Sequence, residues 1–177
     1  MTLLILARHG ETDWNRNGIW QGHGDPSLNI VGREQAAALA GHLVDVDIDA
    51  LYSSDLRRAF ETAEIVAAAK GMSVIADREL REVDVGSWSG LTSAQIEVRF
   101  PGMTYHDGES RESFDTRVIG ALHRIASAHG DEQVLVVTHG GVVRALQRNV
   151  LGEPLDVLGN GEIDTFRYEG GTFSRID

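Results

Sequence analysis

The chain has 177 residues, 27 acidic against 16 basic side chains for a net charge of −11, and no cysteine. That length fits one domain, able to bury roughly two-thirds of its unfolded surface without staples. The absence of cysteine excludes a disulfide framework, a thiolate metal site and a cysteine nucleophile, and fits a cytoplasmic protein; the acid excess disfavours nucleic acid, whose binding rests on neutralising phosphates.

No stretch approaches the ~20 apolar residues of a membrane span, so no membrane partner is expected. Residues 1–7 are apolar without a basic start or a small-residue cleavage site, and read as a strand rather than a signal peptide. That strand, Thr2–Ala7, runs into a polar loop, Gly10 to Asn29. A helix is predicted from Val31 to Val44, with Ala36, Leu39, Ala40 and Leu43 on one face. A short strand, Ala50-Leu51-Tyr52, ends at Ser53-Ser54. Ser54 or Asp55 then caps a helix from Leu56 to Lys70, closed by Gly71.

Ser73 to Ala76 reads as a third strand. Residues 80–111 are irregular apart from a short helix, Thr92 to Phe100. Phe114, Val118, Leu122, Ile125 and Ala126 then mark a long amphipathic helix. A strand Gln133–Thr138, a helix Val142–Leu151 and two closing runs, Ile163–Tyr168 and Thr172–Ile176, complete the chain. Gly170-Gly171 suggests a hairpin between the last two. Pro26, Pro101 and Pro154 all sit in turn-like contexts. Alternating strands and helices predict an α/β fold with a mostly parallel sheet covered on both faces and an antiparallel edge.

Two of these strands end in histidine beside glycine: Arg8-His9-Gly10-Glu11 and Thr138-His139-Gly140-Gly141. In open α/β sheets that edge binds ligands. Each histidine could be base, ligand or nucleophile. Metal is disfavoured, since no His-x-His, His-Glu-x-x-His or carboxylate cluster has ligand spacing. Attack on phosphorus needs a neutral imidazole, and cations to spread the charge of the transferring group. Arg8 supplies one. Arg57 and Arg58 lie in the first turn of a predicted helix, where cations oppose the dipole unless an anion sits there. Arg57 reads as solvated and Arg58 as pointing into a site. Gly140 and Gly141, opening a helix beside His139, make an anion cradle. An acid is needed for the leaving oxygen; Glu79, Glu82 and Asp84 are all eligible. His42, His123 and His129 read as solvated helix residues. His23 and His106 lie in loops that could border a pocket. Gln21, Gly22, His23, Trp88, Tyr105, His106 and Ser110 are the candidates for reading the non-phosphate part of a ligand.

Arg8-His9-Gly10-Glu11-Thr12 with Trp14-Asn15, Ser53-Ser54-Asp55-Leu56-x-Arg58-Ala59-x-x-Thr62-Ala63, Leu80-x-Glu82 and Val137-Thr138-His139-Gly140-Gly141 resemble, in order and across the chain, the histidine phosphatase superfamily, its phosphoglycerate mutase-like branch above all. The resemblance implies a three-layer α/β/α sandwich in a single domain over 1–177, with a short lid-like insertion at about 86–112. It implies that His9 is the nucleophile, forming a phosphohistidine. Arg8, Arg58 and His139 would hold the phosphoryl oxygens, with Asn15 and the Gly140 amide contacting the phosphate. Glu82 would be the general acid and then the base, and no cofactor or metal is implied. The substrate would be a small phosphorylated metabolite, with Gln21, Gly22 and His23, read from their loop position rather than from the resemblance, as substrate-binding candidates. Oligomeric state is left open, a homodimer included.

Two departures matter. The family often reads Asp-x-Pro-Leu where this chain has Asp25-Pro26-Ser27-Leu28. The mutases also carry a longer insertion with an arginine pair for the substrate carboxylate, absent from 86–112 here. A shorter lid admits water and favours hydrolysis. The expected activity is thus a metal-independent phosphatase of small phosphomonoesters. The alternatives are a cofactor-dependent phosphoglycerate mutase, a protein phosphohistidine phosphatase, or an idle binding module.

Overall fold

The structure is a computed structural model that describes residues 1–104, 106–153 and 157–176. Tyr105 and Pro154, assigned above to a pocket rim and a turn, lie outside the described residues. Strand β1 is Thr2–Arg8, and helix α1, Asp13–Arg16, follows inside the expected loop. It was hidden because four residues carry no apolar period; what nucleates it is a capping box, Thr12 with Asn15. Helix α2 (Ile30–His42), strand β2 (Ala50–Ser53), helix α3 (Arg57–Lys70) and strand β3 (Val74–Ala76) come next. Helices α4 (Ser93–Arg99) and α5 (Arg111–Ala128), strand β4 (Gln133–Thr138), helix α6 (Gly140–Leu151) and strands β5 (Ile163–Glu169) and β6 (Thr172–Ile176) complete the order.

Among the described residues these strands form one six-stranded sheet, ordered β3-β2-β4-β1-β5-β6. The first four are parallel; β5 and β6 pair antiparallel at one edge. The fold is therefore mixed α/β of the expected kind. Strand alternation splits the core. Leu4, Leu6, Val134 and Val136 face α5 and α6, whereas Ile5, Ala7, Leu135 and Val137 face α2 and α3. Burial on both faces explains why β1 and β4 read as continuous apolar runs rather than alternating ones. Within 86–112, Trp88 and Ile96 share a small separate core with Val85. That segment is tied to the loop before it by Trp20 N–H to Leu91 O and Gly90 N–H to Trp20 O.

Several local expectations change. The start of α3 is not capped by its own Ser54 or Asp55. Asp25, from the loop after α1, accepts the Arg57 amide instead at 2.6 Å, and Asp55 pairs with Arg81. His42 is exposed, as expected, but His129 and His123 are not solvated surface residues. His129 hydrogen-bonds Tyr52 and pairs with Glu132, and His123 packs against Tyr168 and Phe173. A helical period locates a histidine on a face; which strand or ring covers that face depends on the sheet order.

Candidate active site

The parallel register of β1 and β4 pairs Arg8 with Thr138, one residue before each histidine. His9 N–H then donates to Thr138 O at 2.9 Å, and the two imidazoles meet edge to face with centroids 5.2 Å apart. Both are buried. Strand β2 pairs Ser53 with Val137, which brings Ser54 beside His139; Ser54 Oγ lies 2.8 Å from His139 Nε2. Three adjacent strand ends thus build the floor of the site. Ser54 was legible only as a helix cap, because its neighbour comes from another strand.

His9 Nδ1 lies 2.6 Å from the carbonyl of Gly10. A carbonyl only accepts, so Nδ1 carries the proton and Nε2 keeps its lone pair. Burial, reinforced by the charges of Arg58 and Arg8, holds this imidazole well below its ordinary range, opposed only by the Gly10 bond. His139 is lowered in the same way, by burial first and then by Arg58, His9 and Arg8. Both rings are therefore neutral near pH 7. Asn160 donates to the His9 carbonyl at 2.8 Å, and Thr62 Oγ1 accepts the Gly10 amide at 3.1 Å. A side chain on Gly10 would overlap the Gly32 backbone of α2, so the motif's glycine is a packing requirement.

Arg58 is 1% exposed, yet among the described residues no acidic side chain hydrogen-bonds it. Its terminal nitrogens donate to Gly24 O at 2.8 Å and Gly22 O at 2.9 Å. Burial pushes it down to about 10, with Glu82 and Asp25 opposing, so it stays charged near neutrality. Arg8 donates to Leu158 O at 2.6 Å. Arg8 Nε, Arg58 Nε and His139 Nδ1 are buried polar atoms without a partner among the described residues. Such atoms cost free energy unless a ligand answers them. Helix α6 begins at Gly140, whose amide has no acceptor among the described residues. Arg8, Arg58, Arg144 and the N-terminus of α6 line one cavity, which fits an anion; His139, on the same floor, does not itself line it.

Glu82 is the carboxylate that the fold delivers here. Its Oε2 accepts the Gly141 amide at 3.0 Å and its Oε1 the Val83 amide at 2.9 Å. Glu79 and Asp84, equal candidates on chemistry alone, do not line the cavity. That cavity, about 430 Å³, is lined by Arg8, His9, Arg58, Glu82 and Gly140, with Asn15, Gln21 and Gly22 on its rim. Asn15 Oδ1 accepts the Thr12 amide at 3.1 Å.

Other expected rim residues sit elsewhere. His23 does not line this cavity; its Nε2 lies 2.9 Å from the Glu82 backbone carbonyl. Trp88 is buried against Trp20 and His106. His106 and Ser110 line a neighbouring cavity of about 760 Å³, where Ser110 also caps α5. Arg57 is solvated and pairs with Glu61, as expected. Trp14, Trp20 and Arg144 also line the first cavity, and no local sequence signal marked Arg144. Among the described residues no group of three or more His, Asp or Glu side chains could hold a metal ion, and no helix is long and apolar enough to cross a membrane.

The profile of the histidine phosphatase superfamily, branch 1, matches residues 4–174. The chain belongs to this superfamily. Relatives of this histidine phosphatase include phosphoglycerate mutase-like protein 4 of Arabidopsis thaliana, 38% identical over 188 residues, covering 95% of this chain and 80% of the relative. Phosphoserine phosphatase 1 of Hydrogenobacter thermophilus is 34% identical over 179 residues, covering 95% of this chain and 85% of the relative. Among solved structures, YhfR of Bacillus stearothermophilus superposes with a TM-score of 0.91 at 32% identity, covering 99% of this chain and 95% of that one. The histidine phosphatase is accordingly a phosphoric monoester hydrolase by class.

Proposed function

We propose that this histidine phosphatase hydrolyses small phosphomonoesters, without a metal, through a phosphohistidine on His9. One observation carries the reading: the proton on His9 Nδ1 is committed to the Gly10 carbonyl, which leaves a neutral Nε2 in a cavity lined by Arg8, Arg58 and Arg144. A buried imidazole between fixed cations is a poor base for bulk protons and a good nucleophile toward an anionic phosphoryl group.

Nε2 attacks phosphorus, the bond to the ester oxygen breaks, and Glu82 gives that oxygen a proton. Arg8, Arg58, His139 and the Gly140 amide hold the equatorial oxygens as charge spreads over them. Water then attacks the phosphohistidine, Glu82 takes its proton, and inorganic phosphate leaves with His9 restored. The two amides on Glu82 aim the carboxyl through both steps. Asn15, Gln21 and Gly22 border the ester group. The domain reading, one unit with 86–112 as its lid, belongs to the same proposal: the segment's own small core and its ties to Trp20 suit a fixed, short cover that leaves water a path.

The test is phosphate release from a chromogenic phosphate ester in the presence of a chelator, with His9→Ala as the blank. Turnover that needs a divalent ion, or survives His9→Ala, overturns the reading. Transfer between the hydroxyls of phosphoglycerate that depends on a bisphosphate primer, without net phosphate release, would show a mutase instead.

A further inference from the structure

We infer that Arg144 reads a second anionic group on the substrate, so that the preferred esters carry a carboxylate or a further phosphate beside the phosphate that is removed. The inference rests on the phosphatase reading and names its substrate class.

Arg144 lines both the 430 Å³ cavity and the 760 Å³ cavity beside it. The two share Trp20, Val83, Gly141 and Arg144, so a ligand seated on His9 extends naturally into the second. Arg144 lies four residues after Gly140 on α6, just over one turn or about 6 Å farther along the axis. A two- or three-carbon link between phosphate and second anion covers a separation of that order.

The charge pattern is selective. In a chain with net charge −11, arginines near acids are usually paired. Arg148, the next residue along this face, pairs with Asp115, and Glu109 at the second cavity is taken by Arg117. Among the described residues Arg144 has no hydrogen bond and no ion pair, and its half-buried side chain keeps a fully buried Nε without a partner there. Arg148 also leaves its Nε buried without a partner, but its guanidinium is anchored by Asp115; what sets Arg144 apart is that no part of its guanidinium has a partner among the described residues, and leaving such a group part-buried is costly. Its fork is suited to a carboxylate or phosphate, and the nearby carboxylate, Glu82, is already held by two amides. Trp20 and Phe114 line the second cavity and give the rest of such a ligand an apolar wall.

The experiment compares 3-phosphoglycerate with glycerol 3-phosphate, which differ by a carboxylate in place of a hydroxymethyl group. Wild type is expected to prefer phosphoglycerate in kcat/KM. In Arg144→Gln the ratio of the two values falls about 10- to 100-fold, through KM, as expected for one charge-assisted contact. Arg144→Lys recovers part of the ratio and controls for folding. A further arm uses 1,3-propanediol bisphosphate; a preference for it that Arg144→Gln likewise abolishes supports the inference with phosphate as the second anion. No preference in wild type, or a ratio unchanged in Arg144→Gln, overturns it. Release from none of these esters, nor from a chromogenic ester, overturns the phosphatase reading itself.

Discussion

Gly141 and Glu82 fit together so closely that a β-carbon on Gly141 would overlap the Glu82 carboxylate. The contact exists because the Gly141 amide donates to Glu82 Oε2 at 3.0 Å. Gly140 differs: a β-carbon there would lie 3.5 Å from Arg8 Nε, ordinary contact. Gly141→Ala is therefore expected to displace Glu82 and lower kcat by about 100-fold or more, while the protein stays folded. Gly140→Ala is expected to cost much less. Steady-state kinetics on a chromogenic ester, with circular dichroism as control, decides; equal losses in the two variants would show that the space around Glu82 is not what matters.

His9→Ala removes the proposed attacking nitrogen and leaves the cations in place. Activity is expected to fall by at least roughly 10³-fold, while phosphate still binds. Rapid acid-free quenching of wild type should trap a phosphorylated His9, detected by mass spectrometry. Failure to find it under conditions of rapid turnover counts against covalent catalysis.

Glu82→Gln keeps the shape of the side chain and removes its proton chemistry. The loss is expected to be about 10²- to 10⁴-fold for alkyl esters, and smaller for a nitrophenyl ester whose leaving oxygen needs little protonation. The ratio between the two substrates is the readout. A uniform loss on both would mean that Glu82 only shapes the site.

Burial first, and Arg58 after it, hold both His9 and His139 well below their ordinary values in the folded protein. In the unfolded chain these imidazoles titrate near about 6.5. As pH falls through that value the unfolded state binds the additional protons, so the slope of unfolding free energy against pH is positive there. Their stabilising contribution is thus whole above about pH 6.5 and declines below it. Tm should drop between about pH 7.5 and about pH 5.5, and drop less in His139→Gln. Thermal melts of both proteins test this; identical drops would place the acid sensitivity elsewhere. On the kinetic side, the acid limb of kcat/KM is expected below about 6.5, because His9 stays neutral there.

The strand-end histidines and the layered α/β plan were legible in the chain, because they depend on local periods and on what glycine, histidine and arginine can do. The capping of α3 by Asp25 was not legible, nor the covered positions of His123 and His129, nor the place of Arg144 in the cavity wall. Each depends on contacts between residues far apart in the chain. The helix period misled for His129, since Tyr52 reaches it from a neighbouring element.

The sequence by itself determined which groups are available: two histidines after apolar strands, arginines within reach, a glycine pair at a helix start and several carboxylates. Tertiary structure decided which of them meet. The register of β1 against β4 sets His9 beside His139, and loop carbonyls at Gly22 and Gly24 turn Arg58 inward. Among three chemically equal acids, the close approach of Gly141 brings in Glu82. Local propensity acts over a few residues, whereas a site is assembled by strand order and close packing across the whole fold.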